Sequence, residues 1–371
     1  MAEPLKNRYG SEIPQQIAQM MAGVHPAFPG EFFLRDVLQG YEQLDLMQRA
    51  RHMSAVLRRC LPQDYNQAAE ILIASLGPVL ERTEGMGMAP FVYLPHVFFV
   101  ADYGLDHFDL SMRAQHALTQ RFTAEFSIRP YLVRHRDATL ARLEVWAKDP
   151  SVHVRRLVSE GTRPRLPWAP RLREFQADPR PVLRLLELLK DDAEIYVRRS
   201  VANNLNDIGK DHPQLLANTA GRWLQGASPP RQWVVRHALR SAVKRGEAGA
   251  LKVLGFGGQV DVALANVRVA PQKVLIGGAV SIALDILNTA KQEQDVLVDL
   301  RVFYMKANGK PSPKVFKLKA LHLEPGESAS LSKAISLAEM TTRRHYPGLH
   351  LVEVLLNGQP RPLGGFELAM E

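Results

Sequence analysis

The sequence predicts an α-solenoid of paired helices followed by a β-sandwich, and three observations predict it. Val154-Arg155-Arg156 recurs as Val197-Arg198-Arg199, 43 positions on, and Val235-Arg236-His237 follows 38 positions later. In the first two copies an aspartate, Asp149 or Asp192, stands six positions before the first arginine. A period of about 40 residues is the length of a HEAT-type helix pair. The third observation is a change of pattern near Val262, where alternation replaces helical spacing.

Taken in order, Ile13, Ile17, Met20, Met21 and Val24 recur at helical spacing until Pro26 and Pro29-Gly30 interrupt them. Leu44, Met47, the run from Met53 to Leu57, and Leu61 predict a second helix ended by Pro62. Ala68, Ile71, Leu72 and Leu76 predict a third, stopped at Gly77-Pro78. Gly85-Met86-Gly87-Met88-Ala89-Pro90 reads as a loop whose methionines fill contacts. Residues 91–100 are apolar and aromatic, a buried helix or a short strand. Helical spacing resumes from Ser111 to Phe126 and stops near Arg129-Pro130. Leu140, Leu143, Val145 and Trp146 belong to the first helix of a repeat, Asp149-Pro150 to its turn, and Val152–Glu160 to its second helix. Pro181–Leu189 pairs with Ile195–Ile208, and Pro213–Leu224 with Gln232–Arg245. Such an array stacks into a curved solenoid with one concave wall.

The helical domain is expected over 1–250, a glycine-rich linker over 251–262 and the β-domain over 263–371. The glycines from Gly246 to Gly258 are not a phosphate loop, because no Gly-Lys-Ser/Thr follows. Strand patterns run over Val280–Ile286, Val296–Phe303, Val315–Lys319, Ala329–Ile335 and Leu349–Leu356, with turns at Asn308-Gly309, Pro325-Gly326 and Asn357-Gly358. About seven strands at this spacing suit an immunoglobulin-like sandwich held by packing alone, since the chain has one cysteine, Cys60.

That single cysteine excludes an internal disulfide and predicts a reducing, cytoplasmic setting. No apolar run reaches the ~18 residues of a membrane span, and the first residues lack the apolar core of a signal peptide, so no membrane partner is expected. The net charge is +9; its excess lies in residues 113–245 and is nearly all arginine. Clustered arginine fits phosphate binding, and a solvated basic face fits it equally. The twelve histidines show no His-Glu-x-x-His or similar spacing, so neither a metal nor a cofactor is expected.

Superposing the repeats on Val-Arg-Arg gives one helical face carrying Arg156 and Glu160, then Arg199, Asn203 and Asp207, then His237, Ser241 and Arg245. Arg155, Arg198 and Arg236 fall on another face and read as structural arginines for the turn aspartates. Arg163-Pro164-Arg165-Leu166-Pro167-Trp168 follows at once, a proline-stiffened segment that fixes the direction of two arginines and a tryptophan. Taken alone, a lone tryptophan such as Trp168 is more often core than site, Glu125 reads equally as an i,i+4 partner of Arg129, and the place of Asp207 near a helix C-terminus, where the dipole disfavours anions, argues against a plain helix-end carboxylate.

The run from Arg155 to Trp168, followed by Arg198-Arg199-Ser200-Val201-Ala202-Asn203-Asn204-Leu205-Asn206-Asp207-Ile208, resembles the bacterial DNA alkylation repair glycosylases, the AlkC type more closely than the AlkD type. The resemblance is densest over 125–213, and some members carry an immunoglobulin-like domain after the repeats. It implies hydrolysis of the N-glycosidic bond of cationic alkylated bases, such as 3-methylcytosine, 1-methyladenine or 3-methyladenine, in duplex DNA by a monomer without deep base flipping. It also implies catalytic roles for Asp207, Glu160, Glu125 and Trp168, with Asp207 first in line to position water and Arg156 at the DNA backbone. Arg163, Arg165, Arg199, His237, Arg240, Lys244 and Arg245 are the accompanying DNA contacts. The competing expectation is a non-catalytic scaffold for DNA or a protein, which has no need of carboxylates inside a basic groove.

Overall fold

The computed structural model describes residues 4–340 and 344–370. Among them, fifteen α-helices and three 3-10 turns precede eight strands. They form two compact units: one runs to Asp211 and includes Ser228–Ala238, the other comprises His212–Ala227 and the chain from Leu239 onward.

The first unit opens with α1 (Glu12–Val24), α2 (Gly30–Leu38), α3 (Leu46–Cys60) and α4 (Tyr65–Ala74). Ile13, Ile17 and Met21, four positions apart on α1, join Phe33, Met53, Leu57 and Leu72 in one core. A 3-10 turn, Ala89–Tyr93, leads into α5 (Leu94–Tyr103), buried at every position from Leu94 to Ala101. The apolar segment 91–100 is therefore helical, enclosed by its neighbours on all sides.

Two expectations fail next. The helix predicted to reach Phe126 is α6 (Phe108–Thr119), and Glu125 lies in the turn beyond it. Arg129-Pro130 does not end a helix but opens α7 (Ile128–Arg134), where the missing proline N–H would have had no helical acceptor.

The repeats follow as α8 (Arg136–Trp146), α9 (Val152–Gly161), the short α10 (Arg173–Ala177), α11 (Arg180–Leu189) and α12 (Ile195–Ile208). Val154, Leu157 and Val158 of α9 and Val197, Val201 and Leu205 of α12 are buried where these two helices pack together. Arg155 forks onto Asp192 of the next repeat, at 2.6 and 3.2 Å, while its Nη1 donates to the carbonyls of Asp149 and Pro150. Arg198 likewise donates to the carbonyls of Asp192 and Ala193. Asp149 pairs with His116 at 2.8 Å, not with Arg155. Each of these turn aspartates thus ties its repeat to the preceding one, a cross-repeat pairing that spacing within one repeat does not reveal.

In the second unit α13 (Pro213–Leu224) packs on α15 (Ala248–Val253). The intervening α14 (Pro229–Lys244) gives its first residues to the first unit. The strands are β1 (Val262–Ala270), β2 (Lys273–Leu275), β3 (Ala279–Asn288), β4 (Gln294–Met305), β5 (Pro311–Leu323), β6 (Ser328–Ser336), β7 (Gly348–Leu356) and β8 (Gln359–Ala369). They form a three-stranded sheet, β1-β3-β6, and a five-stranded sheet, β2-β8-β7-β4-β5. All pairings are antiparallel except β2 with β8. Val280, Ile282, Leu284 and Ile286 from β3 meet Val298, Leu300 and Val302 from β4 in the core, the period-2 pattern of a sandwich. Asn357-Gly358 takes left-handed conformations at both residues, as a two-residue hairpin between β7 and β8 demands.

Candidate active site

The first unit contains a cleft of about 310 Å³. Glu125 comes to it from the turn after α6, His153 and Arg156 from α9, Tyr196 from α12 and Trp168 from the proline-stiffened loop. The loop residues Glu84 to Gly87, with Phe91, Phe122 and Phe126, complete an aromatic and apolar wall. Trp168 is 62 % exposed and has a φ of 62°, in the left-handed region. A non-glycine residue held there carries about 1–3 kcal/mol of strain, a cost found where a side chain must stand in a set direction.

Glu125 is held at one oxygen. Its Oε2 accepts from Arg156 Nη1 at 2.7 Å and from Thr123 Oγ1 at 3.1 Å, which leaves Oε1 for the cleft. It does not form the expected pair with Arg129, whose guanidinium donates to the carbonyls of Gly161, Arg163 and Pro170 and is brought by burial to about 10.

Behind Glu125 runs a line of alternating charges. Arg156 Nη2 lies 3.6 Å from Glu160 Oε1, which accepts from Arg163 Nη1 at 2.6 Å. Arg163 Nε donates to Asp207 Oδ2 at 2.8 Å, and Lys210 Nζ donates to Asp207 Oδ1, also at 2.8 Å. Burial works against the charge on Arg156, but Glu125 and Glu160 outweigh it and raise the guanidinium pKa. Burial likewise favours protonation of Glu160, yet Arg156 and Arg163, with the Ser200 hydroxyl, hold its carboxyl below the ordinary range. Anion and cation alternate along this line, each carboxylate facing a guanidinium within one packed region.

The structure thus brings Glu125 and Trp168 together at the cleft and sets the other two carboxylates behind it. Glu160 is 6 % exposed and reaches the cleft through Arg156; Asp207, at 1 %, sits one guanidinium further back. Asp207, expected from the sequence to be first in line to position water, accepts at one oxygen from Arg163 and at the other from Lys210. Arg163, expected among the phosphate contacts, is turned inward as the bridge between the two carboxylates. Arg165 forks onto Asp211 at 3.0 and 2.5 Å. Arg199 stays at the surface, 3.2 Å from Glu84. His237 stacks on Trp233 at 4.9 Å and lies 3.2 Å from Asn203 Oδ1. Arg240, Lys244 and Arg245 belong to the second unit; Lys244 and Arg245 are exposed, the latter 2.7 Å from Glu247.

Sequence reasoning missed His153 and Tyr196. They occupy the same slot, immediately before Val-Arg-Arg, and their rings meet edge-on at 5.8 Å. Burial lowers the His153 pKa, with the Leu80 backbone opposing and Arg156 adding to the effect, which favours the neutral ring. Two aromatic rings in one repeat slot were a readable signal. The loop at Gly85–Gly87, whose methionines were expected to fill contacts, carried none. Among the described residues, the group with metal-ligand geometry is Glu293, His322 and Glu324 of the β-domain, all exposed.

Comparison with known proteins finds similarity both to the β-domain alone and to the whole chain. Residues 263–370 match the family described as "Uncharacterised protein YhaZ, C-terminal Ig-like domain". The Bacillus subtilis (strain 168) protein YhaZ is 34 % identical over 365 residues, covering 98 % of this chain and 99 % of that one. The solved structure of the Pseudomonas fluorescens alkylpurine DNA glycosylase AlkC, bound to DNA containing an abasic site analog, is 39 % identical with a TM-score of 0.90. That match covers 99 % of this chain and all of the other.

Proposed function

We propose, because this chain belongs to the AlkC family, that it is a DNA glycosylase of base excision repair. It hydrolyses the N-glycosidic bond of cationic alkylated bases, 3-methylcytosine, 1-methyladenine or 3-methyladenine, in duplex DNA. It acts as a monomer in the cytoplasm, without drawing the base into a deep pocket.

The observation that carries this reading is Glu125: a carboxyl group bonded at one oxygen only, in a cleft shared with an exposed tryptophan. A base alkylated on a ring nitrogen is a cation that leaves neutral, so no strong general acid is needed. The barrier lies in the sugar, which develops oxocarbenium character. Glu125 stabilises that positive charge, and its open Oε1 can hold and deprotonate the attacking water. Trp168 offers its ring face to the same charge. Arg156 orients Glu125, and Glu160 balances Arg156 so that the guanidinium does not repel a cationic base. Glu160 and Asp207 act through these arginines as positioning residues. Arg199 and the exposed Lys244 and Arg245 supply phosphate contacts with sequence-independent, salt-sensitive binding.

The test is base release from duplex DNA containing one 3-methylcytosine, in EDTA, by wild type and Glu125→Gln. The wild type is expected to release base. Glu125→Gln should bind the duplex equally and release base about 10²–10³-fold more slowly, the size of losing one preorganised electrostatic group. Absence of release by the wild type from all three lesions would leave the non-catalytic scaffold as the reading. Release by Glu125→Gln at the wild-type rate would remove Glu125 from the site.

A further inference from the structure

We infer that Ser200 is a positioning residue of this site: its hydroxyl fixes the orientation of the Glu160 carboxylate, and through it the grip of Arg156 on Glu125. The inference rests on the glycosylase reading and assigns a role that spacing did not suggest. In register, Ser200 takes the slot that Leu157 fills in the first repeat. Leu157 is fully buried, as an amphipathic helix requires there, and Ser200 is 3 % exposed at the same depth. A buried hydroxyl in an apolar slot needs a partner, and serine is a weaker helix former than leucine. The partner is Glu160: Ser200 Oγ donates to Oε2 at 2.6 Å, the length of a charge-assisted hydrogen bond.

The division of labour at Glu160 gives this bond its consequence. Oε2 is taken by Ser200 on α12, while Oε1 accepts from Arg163 and stands 3.6 Å from Arg156, too far for a hydrogen bond. Arg156 therefore keeps its Nη1 for Glu125. Without the hydroxyl, the carboxylate is free to turn and offer both oxygens to a guanidinium fork. Arg156 would then be drawn toward Glu160, and Glu125 would lose the contact that orients it. The charged and titratable groups bearing on Glu160 are Arg156 from its own helix, Arg163 from the following loop, Tyr196 from α12, Asp207 through Arg163 and Glu125 through Arg156. The Ser200 hydroxyl carries no charge, so its removal changes orientation without changing net charge.

Ser200→Ala and Ser200→Thr in the full chain separate this role from packing. Single-turnover release from the 3-methylcytosine duplex should fall about tenfold in Ser200→Ala with duplex affinity unchanged, and return in Ser200→Thr, which keeps the hydroxyl. Glu160 is held ionised, and Ser200 is one of the groups that hold it so. Its removal raises the folded-state pKa, and the acid limb of the rate profile moves to higher pH in Ser200→Ala. Release within twofold of wild type, or a loss that Ser200→Thr does not restore and that leaves the acid limb in place, overturns the inference. Titration of the Glu160 carboxyl by carbon-13 NMR reports the same bond without catalysis. An unshifted value in Ser200→Ala refutes the inference, whereas failure of the wild type to release base refutes the glycosylase reading.

Discussion

Helices α9 and α12 carry the same Val-Arg-Arg in the same frame, and they use it for opposite ends. In α9 the second arginine, Arg156, is turned between two carboxylates beside the cleft; in α12 its equivalent, Arg199, is 47 % exposed and pairs with Glu84 at the surface. The difference follows from the slots around them. Glu160 of α9 becomes Asn203 in α12, Leu157 becomes Ser200, and Gly161 becomes Asn204. The polar residues of the second copy reach back into the first: Ser200 to Glu160, and Asn204 to the Ser159 carbonyl and the Thr162 hydroxyl. A repeat frame holds the helices in register, and the chemistry arises at the seam where one copy departs from the other.

Arg163 closes that seam, and removing it should have the largest effect on the fold. Arg163→Ala leaves Glu160 and Asp207 buried with their shared cation gone. The expected loss is about 3–5 kcal/mol of unfolding free energy in urea, as for breaking a buried ion pair from one side. Arg163→Lys keeps the charge but cannot donate to both carboxylates in the planar geometry of a guanidinium, so it should recover only part of the loss. If Arg163→Ala loses less than about 1 kcal/mol, the value of an exposed pair, the line of charges does not organise the seam.

How much of this was legible follows from the range of each signal. The bounds of Ile195–Ile208 and Pro213–Leu224 are those that periodicity predicts, because apolar spacing and a proline at the first helical turn act within a few residues. The alternation of β3, β4 and β7 was legible for the same reason. Glu125 was misplaced on a helix because side chains there compete with the backbone pattern. Thr119 Oγ1 accepts from the Ala124 N–H and Thr123 Oγ1 from the Glu125 N–H, which stops the helix while apolar spacing still runs on. The depth of Asp207 was not legible at all. It depends on Arg163, 44 positions earlier, which read as an outward arginine on a proline-stiffened loop and points inward instead.

The close approach at Gly161 sharpens the comparison at a smaller scale. A Cβ there would stand 2.5 Å from Ile128 Cγ2, whereas Asn204 holds the equivalent slot in α12. Ile128 begins the helix that follows Glu125, so crowding at this point presses on the turn that presents the cleft carboxylate. Gly161→Ala should lower stability by about 1–3 kcal/mol, the usual cost of overpacking. It should also slow base release without altering net charge. A stability gain of the kind alanine gives in an open helix would mean that α7 and α9 are looser than the contact implies.

Arg199 offers the smallest effect and the cleanest separation of the two copies. Its pair with Glu84 is exposed, so Arg199→Ala should change stability by no more than about 0–1 kcal/mol. If this copy of the arginine serves phosphate, loss of one contact lowers affinity for every duplex alike. It also reduces the slope of log affinity against log salt by about 1, with single-turnover release at saturating enzyme unchanged. A titration of duplex binding at several salt concentrations reads this directly. An unaltered slope would make Arg199 a solvated charge, and a fall in the rate of release would place it in the chemistry beside Arg156. Either result would erase the division between an inward arginine that tunes the carboxylates and an outward one that meets the DNA.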